Sequence, residues 1–104
     1  MGKKTDNIIK SFAKEVRKKI PKSKIYLFGS RVKGKAKKNS DYDFLIVSDD
    51  FKNSNFEERC AEIYFLKRNI PAAMDILCYT VKEFEKKKKQ MGIVQQAMKE
   101  GIEV

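Results

Sequence analysis

Apolar positions recur along this chain with two different periods. Between residues 6 and 19, Ile9, Phe12, Ala13 and Val16 fall three or four apart and lead on to Ile20, which predicts an amphipathic helix. Pro21 closes it, because proline has no N–H to give to a helix and fixes its own φ. The pattern then changes to short unbroken runs. Ile25-Tyr26-Leu27-Phe28 lies between Lys24 and Gly29, and residues 43 to 48 form a second run; both suit buried strands. Residues 73 to 79, Ala-Met-Asp-Ile-Leu-Cys-Tyr, predict a third strand.

Two capping patterns mark further helices. Ser54-Asn55-Phe56-Glu57 opens one whose apolar face would hold Phe56, Cys60, Ile63 and Tyr64, and Thr80-Val81-Lys82-Glu83 opens another. Gly92 interrupts that last helix, and Ile93, Val94, Ala97 and Met98 continue an apolar face beyond it. Gly101 ends the helix, and Ile102-Glu103-Val104 suits a short edge strand. The predicted architecture is α/β (α+β): one small mixed β-sheet flanked by helices, in a single domain over residues 1–104.

Composition narrows the chemistry. With no histidine in the chain, imidazole-based nucleophile activation and imidazole zinc sites are excluded. Cys60 and Cys78 are too far apart in sequence for a C-x-x-C pattern and read as reduced, partly buried small hydrophobes. Catalysis is left to carboxylates, hydroxyls, amines and metals held by oxygen. Lys and Arg number 24 against 14 Asp and Glu, a net charge of +10 that favours anionic partners. Charge alone does not distinguish a nucleotide, a nucleic acid or an acidic protein surface. No apolar run approaches a bilayer span and no signal-peptide h-region opens the chain, so a cytoplasmic protein is expected, with no membrane partner.

Three acidic residues stand out against this background. Side chains two apart on a strand share a face, so Asp41 and Asp43 project together if their strand begins near Asp41. Asp75 sits inside the next apolar strand, between Met74 and Ile76, and pairing of the two strands would bring it beside the first two. Clustered carboxylates repel unless a cation neutralises them. Hard divalent cations do so with oxygen ligands, and a pair of them forms the apparatus of in-line nucleotidyl transfer. Gly29-Ser30, where a strand turns into a short helix, offers backbone amides and a hydroxyl to a triphosphate.

The string carrying these residues resembles a known signature. Gly29-Ser30, ten intervening residues and Asp41-Tyr42-Asp43 are similar to the motif of the DNA polymerase β-like nucleotidyltransferases. GSRVKG…NSDYDFLIV and the ending MKEGIEV look most like the minimal nucleotidyltransferase branch. Val32, Lys33 and Phe44 depart from that branch's usual Ala, Arg and Leu, and Lys33 keeps the charge without the fork.

The resemblance implies the nucleotidyltransferase fold and a set of roles. Gly29 and Ser30 would contact the triphosphate of ATP, with Arg31 and Lys33 beside them. Asp41 and Asp43 would hold two Mg²⁺ ions, and Asp75 would bind the catalytic metal and help activate the attacking hydroxyl. It also implies a partner, a HEPN-domain ribonuclease toxin, which the small transferase counters as antitoxin by moving AMP onto a tyrosine. The residues alone reach only metal-dependent nucleotidyl transfer. An antitoxin acting by contact, or transfer to a small molecule or an RNA, stays open at this level.

The remaining features read more plainly. Lys33, Lys35, Lys37 and Lys38 make a basic stretch before the aspartates, either a flap over the triphosphate or a solvated loop. Lys86 to Lys89 read as a solvated helical segment. Tyr26 and Tyr79 are strand-face residues, and Phe84, Met91, Val94 and Met98 read as core or as a partner-binding stripe.

Overall fold

The computed structural model describes residues 3–33 and 41–104, with side chains from residue 7 to 32 and from 41 onward. Helix α1 (Lys3–Lys19) leads into β1 (Lys24–Phe28), followed by a single helical turn, α2 (Ser30–Lys33). Then come β2 (Tyr42–Val47), a 3₁₀ turn at Asp49–Phe51, α3 (Phe56–Leu66) and β3 (Met74–Tyr79). Helices α4 (Val81–Lys87) and α5 (Ile93–Glu100) and the short strand β4 (Ile102–Glu103) complete the order.

The four strands lie in the order β3-β2-β1-β4. Strand β1 runs antiparallel to both β2 and β4, and β2 runs parallel to β3. The sheet is therefore mixed, as expected from the resemblance to the nucleotidyltransferase fold. The parallel pair is reached through α3, the crossover that such a connection requires.

Alternation along the strands sorts residues onto two faces. Ile25, Leu27, Phe44, Ile46, Ile76 and Cys78 turn to one face and pack on Ile9, Phe12 and Val16 of α1, on Ile20 just after it, and on Ile63 of α3. The rings of Phe12 and Phe44 lie 4.5 Å apart at the centre of this layer, and burying each stabilises the fold by about 1.5–3 kcal/mol. Phe28, Leu45, Val47 and Tyr79 turn to the other face, under Phe84 of α4 and Val94 and Ala97 of α5. Asp43 and Asp75 belong by alternation to this second face.

Strand β3 ends the sheet, so one of its edges has no strand partner. Three residues of α3 cover that edge with hydrogen bonds. The Tyr64 hydroxyl donates to Met74 O and accepts from Ile76 N–H, the Cys60 thiol donates to Ile76 O, and Arg59 Nη1 donates to Cys78 O. Satisfying an edge in this way removes a template for stray pairing.

Two details of α3 differ from the sequence pattern. The N-cap is Asn55, whose side chain accepts from Glu58 N–H while Glu58 bonds back to Asn55 N–H. Ser54 instead donates to Phe51 O, within the preceding turn. Of the predicted face, Ile63 is buried and Cys60 packs against the same core. The fully buried positions of α3 are Arg59 and Ile63, while Phe56 and Tyr64 are exposed. The second capping box is where the pattern puts it: Thr80 accepts from Glu83 N–H, and Glu83 accepts from Thr80 N–H.

Arg59 is the buried cation of the fold. Its Nε donates to Phe51 O and Ser54 O at 3.0 and 2.9 Å, and its Nη1 reaches Glu83 at 2.6 Å. One guanidinium thus ties the 3₁₀ turn, β3 and the start of α4 together. The helix break is wider than Gly92 alone, since α4 ends at Lys87 and α5 begins at Ile93. Phe84 and Val94 are core, Met98 is partly buried against them, and Met91 is exposed.

Candidate active site

The parallel register of β2 and β3 places Asp43 directly opposite Asp75. The antiparallel register of β1 and β2 places Phe28 opposite Asp43, so Gly29 follows immediately beside it. Three sequence-distant pieces, the Gly-Ser turn, β2 and β3, therefore meet at one end of the sheet. They meet on the second face, beyond the stretch that α4 and α5 cover.

Gly29 is required there for two reasons. Its φ of +79° is a left-handed conformation that side-chain-bearing residues rarely adopt. A Cβ at this position would also run into the carboxylate of Asp43. The turn is closed by Val32 N–H donating to Gly29 O at 3.1 Å. Backbone and carboxylate are packed as closely as the chain allows.

The two carboxyl groups feel each other. Burial first, then the charges of Asp75 and Asp41, then a hydrogen bond to Asp75 push the Asp43 carboxyl above its ordinary value. Asp41 lies exposed, one residue before β2 begins, near enough for Asp43 to sense its charge. Asp75 is exposed, although Met74 and Ile76 on either side of it are buried.

The donor set suits a hard divalent cation: oxygen ligands only, with a repulsion that a cation relieves. Among the described residues no group of three or more Asp, Glu, Cys or His side chains is placed to hold a metal ion. The structure presents the Asp43–Asp75 pair instead. Mg²⁺ suits so small a set, because it commonly takes one or two carboxylates and completes its shell with phosphate and water oxygens.

The other site residues expected from the sequence are placed differently. Ser30 opens α2 beside Gly29, half-buried. The guanidinium of Arg31 lies 4.2 Å over the ring of Tyr42, which points to the opposite face of β2 from Asp43. Lys33 ends α2, and its side chain, like Lys35, Lys37 and Lys38, lies outside the described residues.

The sequence pattern misses two contributors. A cavity of about 230 Å³ opens between Gly29 and Asp43 on one side and Ile93, Gln96, Ala97 and Glu100 of α5 on the other. Nothing in the local sequence of α5 signals this, because it arises from how the helix crosses β1. Tyr64 is the second; its hydroxyl bonds to the backbone on both sides of Asp75. Burial raises its phenol, the Ile76 backbone bond lowers it, and the charge of Asp75 raises it further, to a net position above its ordinary value.

A sheet of this order, with paired acids and a glycine turn at one end, defines a nucleotidyl-transferring enzyme. The nucleotidyltransferase domain family matches residues 9–104, and the chain belongs to that family. It is 33% identical over 86 residues to probable protein adenylyltransferase MntA of Haemophilus influenzae, a stretch covering 81% of this chain and 75% of that protein. That likeness places it in the minimal branch. One crystal structure of a candidate nucleotidyltransferase matches with a TM-score of 0.55 at 28% identity, covering 78% of this chain and 87% of its own. Another, from Sulfolobus solfataricus, matches at 0.52 and 26%, covering 83% and 82%. No helix of the described residues is long and apolar enough to cross a membrane.

Proposed function

We propose that this enzyme moves AMP from ATP to a tyrosine of a HEPN-domain ribonuclease, acting as antitoxin to that toxin in the cytoplasm. One observation carries the chemistry: Asp43 and Asp75 stand in register on adjacent strands, with Gly29 packed against the Asp43 carboxylate. The likeness to a protein adenylyltransferase supports AMP as the transferred group and a protein as its acceptor.

In this reading Asp43 and Asp75 would hold Mg²⁺, with Asp41 completing the set. When bound there, divalent ions would neutralise the triphosphate and make the acceptor hydroxyl more acidic. The Gly29-Ser30 turn binds the outer phosphates through backbone N–H groups and the Ser30 hydroxyl, so that charge building on the leaving group meets donors already in place. The phenolic oxygen attacks the α-phosphorus, the bond to the bridging oxygen breaks, and pyrophosphate leaves with the electron pair. A carboxylate oxygen of Asp75 takes the phenolic proton. The positive charge of Lys33, which follows the turn in sequence, favours the triphosphate in this reading.

Incubation with labelled ATP, Mg²⁺ and the HEPN protein encoded beside it is expected to label that protein on tyrosine. Asp43→Asn is expected to abolish the label. Equal labelling with that variant, or none with the intact enzyme, overturns the reading.

A further inference from the structure

Asp75 has an exposed side chain, so packing does not hold its carboxylate in place. Its position depends on its backbone, and its backbone belongs to an edge strand. One side of β3 is held by the register with β2. Along a strand, successive peptide groups turn to alternate edges, so the free edge presents the groups of Met74 and Ile76 that flank Asp75. A single hydroxyl holds both: Tyr64 donates to Met74 O at 3.0 Å and accepts from Ile76 N–H at 3.2 Å.

The support for that hydroxyl is rigid. Cys60, four residues earlier on the same helical face, donates to Ile76 O at 3.4 Å. The capping box at Asn55 fixes the start of α3, and the buried side chains of Arg59 and Ile63 anchor its body. Helix α3 thus lies along the edge like a splint, with the Tyr64 hydroxyl bonded on both sides of Asp75. Stability of an edge strand alone would not require a tyrosine at that spot, since a water molecule can satisfy the same two groups. What a fixed hydroxyl adds is a fixed peptide, and partners outside the ligand set are the usual means of orienting metal-binding carboxylates.

We infer that Tyr64 is a positioning residue: it sets the backbone of β3 at Asp75 so that the Asp75 carboxylate meets Asp43 around a divalent cation. The inference rests on the reading of Asp75 as a metal-holding carboxylate.

The test is a double-mutant cycle read by Mn²⁺ affinity, measured by paramagnetic resonance with a non-hydrolysable ATP analogue present. Tyr64→Phe keeps the ring and removes the hydroxyl. It is expected to weaken Mn²⁺ by about 10-fold, with the analogue's own affinity and the melting temperature close to those of the parent. The Ile76 amide is expected to exchange with solvent faster. Placed on Asp75→Asn, the same change is expected to weaken Mn²⁺ no further. Parental Mn²⁺ affinity in Tyr64→Phe, or losses that simply add in the double variant, overturns the inference while leaving the site intact. Parental affinity in Asp75→Asn overturns the reading of the site itself, and the inference falls with it.

Discussion

Asp43 and Asp75 face each other across the parallel pair β2–β3, and the Asp43 carboxylate fills the space that a side chain on Gly29 would need. A fold gains nothing in stability from driving two carboxylates together with no cation near them. The arrangement is intelligible as a site built for a charge that arrives with the substrate.

The cost of that arrangement is measurable through pH. The Asp43 carboxyl is raised above its ordinary value of 3.8, by burial first and then by its acidic neighbours. In the metal-free protein the folded state therefore keeps this proton over a window where the unfolded chain has released it. The stabilisation from Asp43 is complete below the ordinary carboxyl range and is lost as pH rises through the folded-state value. Metal-free Asp43→Asn is expected to melt higher than the parent at neutral pH, and the gap is expected to shrink on acidification through that window. A variant that melts lower at neutral pH contradicts this.

Gly29→Ala places a methyl group against the Asp43 carboxylate in a left-handed backbone conformation. The backbone strain costs about 1–3 kcal/mol. Asp43 must also move, and small displacements of a reacting group can cost about 100-fold in rate. Thermal melts and the labelling assay together check this. Full activity in Gly29→Ala would show that the turn and the carboxylate are not packed as described.

Arg59→Met keeps an apolar stem and removes the guanidinium, leaving Ser54 O without its donor and Glu83 without its cation. A loss of about 2–4 kcal/mol is expected from urea unfolding. Burial raises the Glu83 carboxyl, but the Thr80 N–H bond and the hydrogen bond and charge of Arg59 outweigh it and hold the group below its ordinary value. Stability from Glu83 is therefore present above the ordinary carboxyl range and lost as pH falls through the lowered value. The variant is expected to lose part of that acid dependence. Unfolding curves that superimpose on the parent's at every pH contradict the role.

Burial pushes both thiols up, Cys78 far above the usual range and Cys60 less. With so little thiolate, and Cys78 fully enclosed, native protein is expected to alkylate slowly near neutral pH and quickly in guanidinium. Rapid labelling of Cys78 in the native state would contradict the burial of that face of β3.

Much of this site is legible in the sequence, because strand alternation and spacing depend on local physics. Asp43 sits two residues before Leu45 and four before Val47, so its face follows from the pattern alone; Asp75 stands likewise before Leu77 and Tyr79. Their register is not legible, since it depends on where α3 delivers the chain to the sheet. Tyr64 shows why the rest is hidden. Spacing alone puts Tyr64 on the apolar face with Phe56 and Ile63, whereas the way α3 lies along β3 brings its hydroxyl to the strand edge. Arg59 is hidden because its partners come from the turn before α3, from β3 and from α4. Arg31 reads as a phosphate neighbour from its place after Ser30, yet its guanidinium lies over Tyr42, because the turn of α2 carries it toward the other face.

The most direct measurement is diffraction from crystals grown with Mn²⁺ and a non-hydrolysable ATP analogue, using the anomalous signal of the metal. The account predicts Mn²⁺ bound by carboxylate oxygens of both Asp43 and Asp75, with the outer phosphates on the Gly29-Ser30 turn. Metal and triphosphate bound elsewhere, with the two carboxylates left untouched, would contradict it.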